Sequence, residues 1–386
     1  MAAWAASYQP STEDLALARR SLLDTVAVAV AGRAEPVVRM AAGEEEATRW
    51  ATAAHALDYD DLHLESTAHL SAVCVPAALA AGGGARAYLA GAGVMARLGM
   101  ALGWEHYSRG WHATCTAGAP AAAVAAGTAM GLDTEGLARA LALAVPAAGG
   151  VQAAFGTMAK PLQVGFAAAA GVRAARLAAA GAGADPAALE VWLQLLGGDP
   201  AAIRIDGPAV PGGLAIKLYP CCYALQRPIA ALAGLALDPA EVASIRVRTP
   251  AASLQPLTRH APRTGLEGKF SLEYGAAAAL LDHPVGFATF TDSQVVRPEA
   301  RRLAERVTVE AVAGGSGLLD GSFAAEVWTS AGTRRVELRL PPGAPGRPAT
   351  DAELAVKVED CCGPLAREVL ALGWGDASTF LRRTLA

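Results

Sequence analysis

From residue 12 to about residue 200, apolar and polar positions fall into helical blocks. The first, STEDLALARRSLLDTVAVAVAG, opens on Ser11 and Thr12 as capping candidates, continues with acidic residues and closes at Gly32. Ala/Leu-rich segments follow at 71–81, 86–103, 118–130, 134–145, 161–181 and 185–196, most of them stopped by glycine. So much alanine predicts tightly packed antiparallel helices, because a methyl side chain lets helix axes approach closely. The texture changes at GGDPAAIRIDGPAVPGG (197–213), a Pro/Gly-rich stretch that predicts a boundary. Beyond it, strand-like alternation occupies 242–250, 306–312 and 325–340, the last predicting a hairpin that turns near Ala331 and Gly332. Helical stretches at 223–236 and 271–281 lie in the same region. PPGAPGRPAT (341–350) then precedes a return to helical patterning over 351–386, with Thr350 as a cap candidate. This order predicts a mixed α+β module set between two pieces of a helical domain, without internal repeats.

Composition narrows the class. A chain of 386 residues exceeds what one hydrophobic core usually supports, so two domains are expected. With 53% hydrophobic and 18% charged residues it belongs with well-buried globular proteins. A net charge of −4 leaves no broad basic surface and argues against nucleic acid as the main partner. The start, MAAWAASYQPSTEDLALARR, lacks a basic segment followed by an apolar run, so no export signal is expected. The apolar region 161–182 carries Arg173 and Arg176, so no membrane span is expected either. The six cysteines include the adjacent pairs Cys221–Cys222 and Cys361–Cys362, which lack the C-x-x-C spacing of zinc sites. Reduced thiols in a cytoplasm are the expectation.

The chemistry concentrates in five short segments. HALDYDDLHLESTAHLSA (55–72) holds His55, His63 and His69 with the carboxylates Asp58, Asp60, Asp61 and Glu65. It predicts a turn between helices that presents acid and base groups to a cleft, led by Asp58 and His69. The competing expectation is that the carboxylates cap the next helix and the histidines satisfy buried polar groups. A metal site is a third option, but His-x7-His and His-x5-His match no strong ligand motif, and no metal is expected. His112, in RGWHATCTAG, stands just ahead of a small-residue run that reads as a helix start suited to a carboxylate ligand. Lys160 precedes Pro161 at the start of a long helix. Lys217 and the Cys221–Cys222 pair lie beside the boundary in IKLYPCCYALQRP. Tyr274 lies in EGKFSLEYGAAAALLDH, where Lys269 is a candidate capping charge. Lysine occurs only at 160, 217, 269 and 357, in a chain that uses arginine elsewhere, so each is a candidate for a place needing a compact ammonium. For every one of these residues a structural or solvated role is the alternative. Their distribution over both predicted domains suits an active site in a cleft between a body and a lid.

The same five segments resemble the signature blocks of the MmgE/PrpD family of 2-methylcitrate dehydratases, cis-aconitate decarboxylases and iminodisuccinate epimerases. The family's patterns are similar to H-A-L-D-F-D-D-T-H…H-P-S, G-x-H-P-T…G, M-x-K-P-L-H, K-x-Y-P-x-x…H and K-F-S-L-Q-Y. They stand here as HALDYDDLH…HLS, GWHATCTAG, MAKPLQ, KLYPCCYALQ and KFSLEY, and FTDSQVVRPEARRLAERVTV (290–309) extends the likeness. The resemblance implies an α+β fold in which a large all-helical domain carries an inserted smaller α/β lid. The corresponding ranges are 1–214, 215–345 and 346–386. It also implies a homodimer and catalysis without a metal or organic cofactor.

Carried over by position, the family's active-site residues fall on Asp58, His69, His112, Lys160, Lys217 and Tyr274. The function so implied is a lyase that dehydrates a small, 2-methylcitrate-like polycarboxylate. In that scheme His112 or His69 removes a proton beside a carboxylate, and Lys160 and Lys217 stabilise the enolate-like charge. Tyr274 protonates the departing hydroxyl and Asp58 orients a histidine. Gln163 and Cys222 join Lys217 in binding substrate. Decarboxylation and epimerisation share the same carbanion and are the alternatives. Four positions depart from the pattern: Leu62 for threonine, and Gln163, Cys222 and Gln226 for histidines. They also motivate a different class, a catalytically degenerate relative acting as a binding partner.

Overall fold

Ser11 opens the first long helix through a capping box: its hydroxyl accepts from the Asp14 backbone N–H, and the Asp14 carboxylate accepts from that of Ser11. The helix, α1 (Thr12–Gly32), is one of nine principal helices, among the described residues, of a unit formed by Met1–Ala153, Met158–Ile216 and Thr350–Ala386. The computed structural model describes residues 1–313, 317, 318 and 320–385. Residues 314–316, 319 and 386, which fall within the expected domain ranges, lie outside the described residues.

The other principal helices are α2 (Glu46–His55), α3 (Leu70–Ala80), α4 (Ala85–Ser108), α5 (Gly118–Ala129), α6 (Thr134–Ala144), α7 (Ala159–Ala179), α8 (Asp351–Cys362) and α9 (Trp374–Thr384). Helix α4 does not stop at Gly103, where its pattern predicted an end; it kinks there and runs on to Ser108. Thr350 caps α8 through a second capping box with Glu353, so the helical return after the Pro/Gly stretch starts where its cap chemistry predicted.

Alanine and glycine set the spacing that matters for the site. Helix α7 packs against α2, α5 and α6. A Cβ at Gly171 would lie 2.4 Å from Ala122 Cβ and 2.5 Å from the Ala119 carbonyl oxygen, so α7 meets α5 only because that position carries no side chain. The interface is built from fully buried Ala119, Ala122, Ala123, Ala168 and Ala175. This close approach carries Lys160, in the first turn of α7, to the C-terminal end of α2, where His55 sits.

The second unit comprises Ala154–Thr157 and Lys217–Ala349. Its sheet has the order β2-β1-β3-β4, from β1 (Val242–Pro250), β2 (Val307–Val312), β3 (Phe323–Thr329) and β4 (Gly332–Leu338). Strand β1 runs parallel to β2 and antiparallel to β3, while β3 and β4 form the predicted hairpin. One face of the sheet, including Ile245, Val247, Phe323 and Val327, is buried with Leu225, Ile229, Leu272 and Ala276. The opposite face carries the ion-paired Arg246, Arg248, Glu310, Glu326 and Arg335. Helix-rich with one four-stranded sheet, the protein is of the α+β class. Among the described residues, no helix is long and apolar enough to cross a membrane.

Candidate active site

The segment between α2 and α3 folds back on itself because Asp58 adopts a left-handed backbone, φ +52°, directly after the helix. Asp tolerates this conformation better than most residues, though it still costs about 1 kcal/mol. The turn returns the carboxylates of Asp58 and Asp60 to the end of α2, and His69 closes the segment as the N-cap of α3. All four of His55, Asp58, Asp60 and His69 are buried, and ligand-capable atoms of the four lie within 4.8 Å of one another.

One carboxylate organises two rings. Asp60 Oδ2 lies 2.7 Å from His55 Nδ1 and 2.9 Å from His69 Nδ1. Burial alone would raise the Asp60 carboxyl, but the two imidazoles beside it hold it well below the usual carboxylate range. The His55 ring therefore carries its proton on Nδ1 and accepts at Nε2, and Asp60, the carboxylate nearest His69 Nδ1, favours the same tautomer there. His55 Nε2 accepts from Lys160 Nζ at 2.6 Å, and the same ammonium donates to Asp58 Oδ1 at 2.9 Å. Burial and the adjacent ammonium lower the His55 pKa, which keeps that ring neutral. His69 Nε2 is 3.8 Å from Asp58 Oδ1, beyond hydrogen-bond reach, and its side chain retains 9% exposure. The carboxylate beside the two Nδ1 atoms is Asp60, while Asp58, expected to orient a histidine, accepts from Lys160.

His112 joins this group from another loop. Its ring centroid lies 5.7 Å from that of His55, and the His55 and His69 rings meet edge-on at 4.6 Å. It is the N-cap of the short helix Ala113–Thr116, and its N–H donates to the Gly150 carbonyl at 3.0 Å. Gly150, at φ +101°, has to be glycine, since a Cβ there would sit 2.6 Å from Cys115 Cβ. The Gln163 amide nitrogen is 2.6 Å from His112 Nδ1, and Cys115 Sγ is 3.2 Å from the same atom. Burial, followed by the charge of Lys160 and the neighbouring rings, holds the His112 pKa well below its ordinary value.

Asp58, His69, His112, Lys160 and Gln163 are therefore brought together within the helical unit. Tyr274, Lys217 and Cys222 belong to the second unit. The Tyr274 hydroxyl donates to the Thr289 carbonyl, and its ring meets Phe290 edge-on. Burial raises the pKa of that phenol. Lys217 is fully buried, and the Cys222 N–H donates to the Lys269 carbonyl at 3.1 Å. Lys269 stands at the C-cap of the short helix Gly265–Gly268, where its backbone N–H faces the Gly265 and Glu267 carbonyls.

Two departures from the family pattern serve local structure. Leu62 exchanges backbone hydrogen bonds with Ala215, at 2.9 and 2.8 Å. Gln226 accepts from the N–H groups of Leu218 and Tyr219 and donates to the Tyr219 carbonyl. His63 is also structural, with its ring nitrogens on Ser66 Oγ and the Pro211 carbonyl. His55 and Asp60 are the members of the site that residue-type reasoning did not single out. Their signal was adjacency: a histidine on the last turn of a helix, five residues before a carboxylate.

The donor set of His55, Asp58, Asp60 and His69 has the chemistry of a divalent metal site. Lys160, however, hydrogen-bonds two of those four, so an ion would have to displace its ammonium.

Known proteins place this constellation in context. Residues 44–192 match the family model of the MmgE/PrpD N-terminal domain, and residues 219–371 match that of the C-terminal domain. The chain is 30% identical over 296 residues to a cis-aconitate decarboxylase of Aspergillus terreus (strain NIH 2624 / FGSC A1156), covering 66% of this chain and 60% of that protein. It is also 30% identical over 222 residues to a cis-aconitate decarboxylase of Mus musculus, covering 52% of this chain and 44% of the relative. It thus spans about three fifths or less of the length of these relatives. With matches to both domain models, the chain belongs to the MmgE/PrpD family.

Proposed function

We propose that the protein is a lyase that acts on a small polycarboxylate by way of a carbanion beside a carboxylate. The observation that supports this most is the Lys160 ammonium, held by His55 and Asp58 within a buried group that also presents the acceptor nitrogen of His69. A carbon acid next to a carboxylate is weak, because ionisation places a second negative charge on that group. A preorganised ammonium in a water-poor site offsets this charge, and one such donor is worth about 10²–10³ in rate. His69 Nε2 takes the proton, while Asp60 on Nδ1 fixes the tautomer and stabilises the imidazolium that forms.

A carbanion stabilised beside a carboxylate serves two lyase reactions, formed by proton removal in dehydration and by loss of carbon dioxide in decarboxylation. In dehydration of a 2-methylcitrate-like substrate, the electron pair expels hydroxide from the neighbouring carbon and a proton donor converts it to water. In decarboxylation, the C–C bond to a carboxylate breaks, carbon dioxide leaves, and the carbanion is protonated. The motif blocks imply the first, and the names of the similar relatives favour the second. The roles expected of Tyr274 and Lys217, proton donor and second cation, stand or fall with their own variants. A homodimeric state belongs to the same proposal and is tested by sedimentation velocity.

Incubation of purified protein in deuterium oxide with 2-methylcitrate, citrate, cis-aconitate and iminodisuccinate decides among the reactions. Loss of water or carbon dioxide from one of them, with deuterium entering carbon in a decarboxylation product or in substrate recovered after reversible proton removal, supports the lyase; exchange with inversion alone makes it an epimerase. No exchange or turnover with any of the four favours the degenerate, ligand-binding relative.

A further inference from the structure

We propose that Gln163 is a positioning residue: it holds His112 with its proton on Nε2, so that His112 donates a hydrogen bond to substrate rather than accepting its proton. The proposal deepens the lyase reading above and rests on it for the word substrate, but the geometry behind it is independent of any activity.

The orientation of the Gln163 amide is set by the backbone. Its Oε1 accepts from the Val151 N–H at 3.2 Å, which leaves Nε2 facing the Val151 carbonyl at 3.3 Å and His112 Nδ1 at 2.6 Å. A flipped amide would set two donors against each other at Val151 and two acceptors at its carbonyl. An amide nitrogen has hydrogens and no lone pair to offer, so His112 Nδ1 has to be the acceptor. The Cys115 thiol, 3.2 Å from that nitrogen, is kept in its S–H form by burial and can present a proton to it as well. Val151 is itself fixed by an antiparallel bridge to Trp111, next to His112 in the chain, and Gln152 N–H donates to the Gly110 carbonyl at 2.8 Å. The clamp and the ring it holds are thereby parts of one short ladder.

The neighbouring ring is wired the opposite way. Asp60, an acceptor, sits on Nδ1 of His69 and leaves its Nε2 unprotonated; Gln163, a donor, sits on Nδ1 of His112 and leaves its Nε2 protonated. Two histidines of one site are so divided into a proton acceptor and a hydrogen-bond donor by the chemistry of the group behind each.

Nitrogen-15 NMR of histidine-labelled full-length protein, with His112 assigned by the signals lost in His112→Gln, reads the tautomer directly. The expected wild-type pattern is a pyridine-type Nδ1 and a pyrrole-type Nε2. Gln163→Glu replaces the donor by an acceptor of nearly the same shape, and the expected result is reversal of that pattern. Cys115→Ala leaves the wild-type pattern in place. For whichever substrate the protein turns over, Gln163→Glu is expected to lower kcat about 10- to 100-fold while KM changes less than about threefold. A wild-type His112 protonated on Nδ1 overturns the proposal without any variant, as does a pattern unchanged by Gln163→Glu. Absence of turnover on every substrate would count against the lyase reading alone, since the NMR result does not depend on it.

Discussion

The helical unit contains two buried lysine–aspartate pairs that look alike in outline and differ in what surrounds them. Lys160 meets Asp58 at 2.9 Å and Lys357 meets Asp24 at 2.5 Å, and all four side chains are nearly or fully inaccessible. Both lysines also touch the segment after α2. The further partners of Lys357 are the Tyr59 carbonyl at 2.7 Å and the face of the Tyr59 ring at 3.9 Å. Neither can take up a proton at neutral pH, so the ammonium serves as a clamp between α8, α1 and the turn. Lys160 instead donates to an imidazole nitrogen, in contact with two more rings. A buried ammonium thus identifies a place where burial had to be compensated; the acceptors around it decide whether chemistry can follow.

Four substitutions sharpen this contrast. Lys357→Met strands Asp24 beside a second buried carboxylate, Asp61, and is expected to cost about 3–5 kcal/mol in urea unfolding, with the folded fraction keeping its kcat. Lys160→Met is expected to lower kcat by about 10²–10³, a loss of about 2.7–4 kcal/mol in transition-state stabilisation, with a native circular dichroism spectrum. Should the two variants show each other's phenotype, the contrast is wrong. Asp60→Asn offers one carbonyl oxygen to two imidazole N–H donors, and kcat should fall about 10- to 100-fold with KM little changed in steady-state assays.

The smallest effect concerns pH. Burial and the Asp24 charge push the Asp61 carboxyl up to about 7, against the hydrogen bonds it receives from Ser71. Its folded-state pKa is raised, so the folded state binds more protons than the unfolded state between about pH 4 and 7. Stability from this group is therefore complete below the ordinary carboxylate pKa and is lost as pH rises through 7. Asp61→Asn should remove that loss, on the order of 2 kcal/mol between pH 5 and 7, visible as a flatter dependence of Tm on pH.

Much of the fold was legible because it is written in local chemistry. Ser11 and Thr350 are capping-box residues wherever they stand, and Gly332 admits the hairpin turn between β3 and β4. Pro161 in the first turn of α7 gave away the position of Lys160. The scarcity of lysine was informative in a narrower sense: Lys160, Lys217, Lys269 and Lys357 are all buried, yet Lys357 shows that rarity reports a need for a compact charge and not a reaction. What stayed hidden depends on direction. Which of four carboxylates faces the rings follows from the left-handed turn at Asp58, and no residue pattern announces that turn. Gln163 read as a lost histidine and a candidate substrate ligand; its partners within the fold lie 51 residues upstream, at His112, and 12 residues upstream, at Val151, too far along the chain for a local pattern to pair them.

The most direct test compares the two lysines in one assay: the rate of deuterium transfer from solvent to carbon, followed by proton NMR, for wild type, Lys357→Met and Lys160→Met on a substrate that wild type turns over. Transfer that survives in folded Lys357→Met and falls at least about 100-fold in Lys160→Met is the predicted outcome. Undiminished transfer in Lys160→Met would contradict the assignment of its ammonium to the carbanion.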